Sequence, residues 1–520
     1  MAKKFYATTA IDYVNGHPHL GHAYEKILTD VLVRSRRAEG IGSFFLTGLD
    51  EHGQKVQQAS RDAGMDPQAY CDQLAETWLS FIGQLGISND DFVRTSDERH
   101  KKVIRAILDK LQKSDHFYTS EYVGYYSARQ ESFLTDRDRN ENGEFDPIFG
   151  EVVELRETNY YFRLGRHQQW LIEYIEKNPD FIYPDYRRNE VLGFLKNNTL
   201  EDLCITRPSS RLNWGIPLPF DPDYVTYVWF DALSNYISIP AVLGDPVVCG
   251  ALGLPTDGAP GEELWPADCH VIGKDIIKFH TVYWPIMLKA MGLPLPRQVI
   301  AHGWWQKDNQ KISKTTGNVV DPLTVIEEWG LDAFRYYCVR ELDLGPDGNW
   351  TDSGFAARYT AELANGLGNL VNRSLSMLKR YRQSVLPAPH DELKSEALET
   401  ISKTRDYYRD LKFQAALQCI WNFVSRVNQY IDQTAPFKIA KDPDQSERLG
   451  QVLYNMVESI RIIGALIQPV LPDTSSKIAA QLQLPDSLDG VLLSDLDWAQ
   501  LPDGHTAGAP VPLFPRKDQA

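Results

Sequence analysis

The chain has 520 residues, 43 % of them hydrophobic and 24 % charged, with a formal net charge of −16. That length can bury a large core and suits three or four globular domains, and no run is apolar and long enough to span a membrane. The acidic sum excludes a uniformly basic nucleic-acid binder while leaving room for a local basic face, and six scattered cysteines without a Cys-x-x-Cys pair fit a reduced, cytoplasmic chain.

The N-terminus passes directly into an apolar stretch, Phe5 to Ile11, which predicts a strand and lacks the core of a signal peptide. His19-Leu20-Gly21-His22 follows, then Tyr24, Ile27, Leu28, Val31 and Leu32 at helical spacing as far as Gly40. Two imidazoles one turn apart at a helix N-terminus, beside a glycine, can donate to negative charge on phosphate. The same four residues taken alone more often form a satisfied loop or core histidine pair, and zinc lacks further ligands at a suitable spacing.

Phe44-Phe45-Leu46-Thr47 predicts a strand ending at Gly48-Leu49-Asp50, which sets Asp50 beyond the carboxyl end of a parallel strand, where ligands of such sheets sit. Strands and helices alternate to about Ser114. From Phe117 to about Asp223 the texture becomes Tyr-rich and Gly-punctuated, an insertion interrupting the alternation. Within it, Asp138-x-Asn140-x-Asn142-Gly143 predicts a hairpin turn, not a calcium loop, because Phe149 stands where a bidentate Glu is needed. Asn197-Asn198-Thr199 reads as an incidental loop.

Alternation resumes at Tyr224 and runs to Lys311-Ile312-Ser313-Lys314-Thr315, a polar loop whose two ammonium groups suit a migrating pyrophosphate. Beyond about Phe355 the chain turns helical. Leu411 to Ile431 predicts one helix, and Leu449, Val452, Leu453, Met456, Ile460, Ile463 and Ile467 share a face of another that Pro469 and Pro472 stop, so a bundle is expected. Pro387, Ala388 and Pro389 mark a break between helices, and the turn-rich tail after Pro502 is expected to wrap back. Arg373, Lys379, Arg380 and Arg382 form one candidate basic face and Arg187-Arg188 another; each is equally a solvated surface.

The order and distance of the His and Lys segments resemble the HIGH and KMSKS signatures of class I aminoacyl-tRNA synthetases. Thr8-Thr9-Ala10-Ile11-Asp12-Tyr13-Val14-Asn15-Gly16, Phe45-Leu46-Thr47-Gly48-Leu49-Asp50-Glu51-His52-Gly53 and Tyr227-Val228-Trp229-Phe230-Asp231-Ala232 narrow the likeness to the methionyl-tRNA synthetase family. So do His270-Val271-Ile272-Gly273-Lys274-Asp275 and Gly368-Asn369-Leu370-Val371-Asn372-Arg373, and the likeness reaches Leu513-Phe514-Pro515.

The resemblance implies an α/β fold: a Rossmann-type parallel-sheet catalytic domain split by an inserted connective domain, then an α-helical bundle that binds the anticodon. The expected divisions are 1–116 and 224–325 for the catalytic halves, 117–223 for the insertion, 326–360 for a stem-contact connector, and 361–520 for the bundle with its tail. It implies ligation of L-methionine to initiator and elongator tRNA(Met) through an adenylate, with ATP and Mg2+, in a monomer. His19, His22, Lys311 and Lys314 would be catalytic, and His19, Gly21, His22, Gly273, Asp275, His302, Gly303 and Lys314 would hold ATP. Ala10, Ile11, Tyr13, Asp50, Trp229, Ala232, Leu233, Tyr236 and His280 would hold methionine: Asp50 takes the ammonium, Trp229 walls the side chain, and Tyr13 and His280 meet the sulfur. Asn369, Arg373 and Phe437 would read the anticodon, with Phe437 where many relatives carry Trp.

One departure stands out. Many relatives carry zinc-binding cysteines in the insertion, but Ser127-Ala128-Arg129-Gln130 and Asp146-Pro147-Ile148-Phe149 stand there instead, so no structural zinc is expected. Packing among Tyr122, Tyr125, Tyr126 and Phe133 is expected to replace it. Three other classes compete. Synthetases for leucine, valine or isoleucine usually need a large editing insertion for which there is no room; for these and for cysteine, the Trp229 to Tyr236 segment favours methionine. A free nucleotidyltransferase does not need the helical domain, and a retired RNA-binding module is expected to lose the His or Lys motif.

Overall fold

The computed structural model describes residues 3–14, 16, 18–127, 129, 132–134, 138–140, 142–256, 261–311, 318–485 and 487–517. A seven-stranded sheet is built from β1 (Phe5–Thr9), β2 (Asp12–Tyr13), β3 (Ser43–Asp50), β4 (Asp91–Arg94), β5 (Ile182–Tyr183), β6 (Cys269–Gly273) and β7 (Gln298–His302). Its order is β2-β3-β1-β6-β7-β5, with β4 also on β3. The pairs β1–β6, β2–β3, β3–β4 and β5–β7 are parallel. β3 is buried along nearly its whole length, as a parallel strand covered on both faces must be, and so reads as an almost unbroken apolar run.

Between β2 and β3 the chain runs through helix α1 (Leu20–Ala38), which carries Arg36 and Arg37 in its last turn, where cations favour the helix dipole. Its stripe of Tyr24, Ile27, Leu28, Val31 and Leu32 is buried, as the spacing predicts. After β4 come α2 (Glu98–Lys113), α3 (Val228–Leu233) and α4 (Asn235–Val242), followed by α5 (Leu331–Arg340), α6 (Asn369–Arg382), α7 (Lys394–Arg409), α8 (Phe413–Thr434) and α9 (Ser446–Ile467).

The chain divides into two compact units. One comprises 1–18, 44–83 and 89–301; the other comprises 19–43, 84–88 and 302–520. In the first, Tyr6, Leu46, Ile104, Phe230, Ile272 and Val299 belong to one apolar core around the sheet. A long antiparallel hairpin, Phe117–Ser127 with Val152–Phe162, rises from that core through Phe117 and Phe162. β5 lies inside the stretch whose composition suggests an insertion, yet it pairs with β7 of the main sheet. Two residues enclosed by Pro179 and Pro184 give too short a run for periodicity to register.

Asn140 makes the expected hairpin turn, its Oδ1 accepting the Asn142 and Glu144 N–H groups, and Gly143 takes a φ of 81°. Arg139 lies 4.7 Å from the Tyr125 ring and 4.2 Å from the Phe145 ring, while Tyr126 is buried beneath Arg211. Aromatic packing therefore runs through Phe145 and two arginines. The side chains of Tyr122 and Phe133, and residues Ala128 and Gln130, lie outside the described residues. Among the described residues, no group of three His, Cys, Asp or Glu side chains is arranged to hold a metal, and no single helix is long and apolar enough to cross a membrane.

The second unit is largely helical. α9 is buried at every position from Leu449 to Ile467 except Gln451, with Pro472 opening the next helix, Pro472–Gln481. α8 begins at Phe413 instead of Leu411, because Leu411 adopts a left-handed φ of 61° and Lys412 N–H closes the end of α7 on Tyr407 C=O. Asp30 of α1 and Arg335 of α5, both fully buried, meet at 2.6 Å. Arg335 also donates to the carbonyls of Leu85 and Val470. The tail returns as its composition predicts: Tyr359 O–H donates to Pro515 C=O at 2.7 Å and its ring meets Phe514 edge-on.

Candidate functional site

In the first unit, the carboxyl ends of β2 and β3 set Tyr13 directly beside Asp50. Asp50 is 5 % exposed, and its carbonyl accepts the Val14 N–H at 3.1 Å. On the other side of β3, Gly48 lets β4 approach closely, since a Cβ there would sit 2.0 Å from the Val93 carbonyl oxygen. Ala10, Ile11, Leu233 and Tyr236 pack in the common core, together with Phe279. Trp229, half-buried on α3, stacks on Phe279 with ring centroids 3.6 Å apart and planes 11° from parallel. Ala232 is buried near the end of α3, three residues before α4 begins. The apolar and aromatic candidates therefore share one wall system with the acidic strand end.

Hydrogen bonding fixes the tautomers here. His280 Nδ1 lies 3.0 Å from the Ile276 carbonyl, which can only accept, so the ring proton sits on Nδ1 and Nε2 accepts the Tyr236 O–H at 2.7 Å. Tyr236 in turn stacks on His270, with centroids 4.2 Å apart. His270 takes the Trp284 indole N–H on Nε2 and meets Thr8 Oγ1 through Nδ1. Burial, with the neighbouring His280, holds the His270 ring well below its ordinary pKa. A hydrogen-bonded Tyr236–His280 pair lines this wall, suited to a polarisable side chain. Gly273 ends β6, and Asp275 is exposed in the following single turn, Lys274–Ile276.

In the second unit, His19 caps α1. Its Nδ1 accepts the Gly21 N–H at 3.1 Å, and its own N–H donates to His22 Nδ1 at 3.2 Å. Both Nδ1 atoms are acceptors, so both ring protons sit on Nε2. The rings stack 3.7 Å apart, an arrangement that presents two N–H donors at a helix N-terminus. His302, at the end of β7, lies 2.8 Å from the Gly303 carbonyl through Nδ1 and 3.4 Å from Glu25 through Nε2. Burial pushes the Glu25 carboxyl up, but the Lys26 ammonium and His302 outweigh it and hold the carboxyl below its usual range. Gly303 is held by close backbone approach, because a Cβ would lie 2.1 Å from the Pro346 oxygen.

Lys311 ends a tight antiparallel hairpin, Trp305–Lys307 with Gln310–Lys311, in which it pairs with Gln306. Asp308 and Asn309 turn that hairpin with φ of 51° and 61°, the left-handed pair that a two-residue loop demands. Lys314 and the rest of 312–317 lie outside the described residues. Sequence reading missed this hairpin, although Asp-Asn between two polar-apolar runs is its signal.

The anticodon candidates also lie in the second unit. Asn369 opens α6, and Arg373 one turn later donates to Asp432 Oδ1 at 3.0 Å. Phe437 is 47 % exposed on the turn after α8. Of the remaining basic run, Arg382 is used within the fold, donating to the Ser446 carbonyl, while Lys379 and Arg380 are exposed. In the first unit, Arg187 pairs with Glu190 and Arg188 donates to the Pro179 carbonyl, so that second basic patch is largely spent locally.

The sequence matches the family described as tRNA synthetases class I (M) over residues 5–142 and 146–375. It matches the anticodon binding domain of methionyl tRNA ligase over 388–519. The chain belongs to the class I tRNA synthetases. Within that class it falls in the methionyl family: it is 42 % identical to the Methionine--tRNA ligase of Bacillus subtilis, an alignment covering 98 % of this chain and 78 % of that one. The ligase of Fusobacterium nucleatum is 39 % identical over 99 % of this chain and 80 % of its own length. Among solved structures, Mycobacterium tuberculosis methionyl-tRNA synthetase bound by methionyl-adenylate superposes with a TM-score of 0.89 at 36 % identity, covering 99 % of this chain and all of that one.

Proposed function

We propose that the chain is a methionine--tRNA ligase that activates L-methionine with ATP and charges initiator and elongator tRNA(Met). The observation that carries this reading is the union in one chain of a methionyl-type catalytic likeness over 5–375 with a methionyl anticodon-domain likeness from 388 onward. In the first step a methionine carboxylate oxygen attacks the α-phosphorus of ATP and pyrophosphate leaves. In the second, a terminal ribose hydroxyl of the tRNA attacks the activated carbonyl carbon and AMP leaves. Neither step needs a covalent enzyme intermediate, so positioning and charge stabilisation carry the catalysis.

Asp50 takes the substrate ammonium, and Ala10, Ile11, Tyr13, Trp229, Ala232, Leu233, Tyr236 and His280 enclose the thioether side chain. His19 and His22 donate through Nε2 to phosphate oxygens, and Lys311 and Lys314 neutralise the departing pyrophosphate. Gly21, Gly273, Asp275, His302 and Gly303 hold the nucleotide. Magnesium would arrive as part of the substrate, MgATP, and would offset the negative charge of the phosphates that His19, His22, Lys311 and Lys314 bind. Asn369 and Arg373 bond the edges of anticodon bases and Phe437 stacks on one. The catalytic halves are 1–116 and 224–325, with 326–360 as connector and 361–520 as anticodon domain, acting as a monomer.

ATP–pyrophosphate exchange across the amino acids tests the reading: methionine alone should support exchange, and methionine-independent exchange refutes it. Lys314→Ala should slow exchange by about a hundredfold or more while methionine binding changes little; an unchanged rate removes Lys314 from catalysis.

A further inference from the structure

Beneath the methionine wall lies a buried charge cluster to which the reaction assigns nothing. Asp231 sits on α3 between Trp229 and Ala232, with its side chain fully buried. Its Oδ2 is 2.5 Å from His52 Nδ1, and its Oδ1 is 2.7 Å from His100 Nε2 on α2. His100, also fully buried, meets Ser238 Oγ of α4 through Nδ1 at 3.0 Å. Both ring nitrogens of His100 and both oxygens of Asp231 are thus engaged.

His52 stands two residues beyond Asp50, in a segment pinned from several sides. Glu51 N–H donates to Thr95 Oγ1, its carbonyl accepts the Trp214 indole N–H, and its carboxylate takes Arg94 Nε at 2.7 Å. Trp214 also meets the His52 ring edge-on. The 50–52 segment carries the ammonium acceptor, and α3 carries the aromatic wall; Asp231 joins them directly.

A carboxylate in this position is costly unless paired, and well-packed apolar residues usually stabilise such a site at least as well. Simple packing therefore does not explain an Asp between two His. Burial raises the Asp231 carboxyl, but His52 and His100 outweigh it and bring it down to about 2, so it is ionised at working pH. Hydrogen bonds to a charged acceptor are short and directional, which suits a joint that must fix both spacing and rotation.

We propose that Asp231, through His52 and His100, is a positioning residue for the methionine site, locking the Asp50 strand end at a fixed distance and angle from the Trp229–Leu233 wall. The proposal rests on the reading of Asp50 and Trp229 as methionine-binding. It predicts a fault confined to amino-acid capture, because the nucleotide-binding groups do not depend on this joint.

The test is steady-state ATP–pyrophosphate exchange by the full chain carrying Asp231→Asn, His52→Leu, His52→Asn or Asp50→Asn. Asp231→Asn and His52→Leu should raise the methionine KM about tenfold or more, with the ATP KM within about twofold and kcat at saturating methionine nearly kept. His52→Asn retains an N–H donor toward Asp231 and should recover most of the loss. A methionine KM within twofold of the parent in both damaging variants overturns the proposal, as does a parallel rise in the ATP KM, which marks general loosening. If Asp231→Asn fails to fold, the His52→Leu and His52→Asn pair decides on the same criteria. Should Asp50→Asn leave the methionine KM unchanged, the pocket assignment fails; an Asp50 effect without an Asp231 or His52 effect refutes the positioning role alone.

Discussion

His19 caps α1 through Nδ1, and the proposed function gives the same ring a second task, donation to phosphate through Nε2. Amides can separate them. His19→Asn keeps an acceptor near Nδ1, so thermal stability should hold while exchange falls by about a hundredfold or more. His19→Gln keeps a donor near Nε2 and should retain more activity, at a cost of about 1 kcal/mol in the cap. Activity and melting curves for both variants check this, and the reverse order refutes the division of labour. At the other functional end, Phe437→Ala should raise the tRNA KM by about five- to a hundredfold, the worth of one stacked base, and leave methionine activation alone. Equal losses in both assays would mean misfolding.

Among elements, β3 shows how close packing and function share residues. Gly48 lets the β4 backbone approach, and two residues on stands Asp50. Gly48→Ala should cost at least about 1–3 kcal/mol, since the clash is with a carbonyl and not with a flexible side-chain tip; urea unfolding measures it, and an unchanged midpoint contradicts the close approach. The α1 stripe and the α9 stripe were legible in the sequence because each follows one face of a helix over several turns. The start of α8 was not, because Leu411 belongs to the preceding helix's closing turn, a matter of backbone angle and not hydropathy. Asp50 and Trp229 could be named from motifs. The tautomers of His19, His22 and His280 could not, since each depends on a backbone partner that exists only once the chain is folded. Asp231 lies inside the Tyr227–Ala232 motif, but its two histidine partners come from positions 179 and 131 residues away. A charged residue within an apolar run was the available sign that such partners must exist.

For the molecule as a whole, each compact unit contains a buried, ionised carboxylate: Asp231 in one, and in the other Asp30, which burial raises but Arg335 and Arg34 hold below its usual range. Both groups have folded pKa values below their unfolded ones, so the stability they contribute is full above the ordinary value of 3.8 and is lost as pH falls; for Asp231 the loss runs toward about 2. Asp231 accounts for about 2 kcal/mol of that loss. Melting temperatures measured from pH 5 downward should fall steeply below about pH 4, and Asp231→Asn should flatten part of the fall. A parallel decline in parent and variant would remove Asp231 from the acid response.

The pairing of β1 with β6 also sets a timetable for synthesis. Thr9 finds Val271 as its neighbour, so the edge of β1 waits for a strand translated roughly 260 residues later. At about 5–20 residues per second that interval is roughly 13–50 s. Throughout it, β1 can pair with β3 on one side while its other edge emerges from the ribosome with unsatisfied backbone groups and no partner yet made. The nascent chain should therefore bind chaperones through its first fifty residues and release them soon after Gly273 clears the exit tunnel.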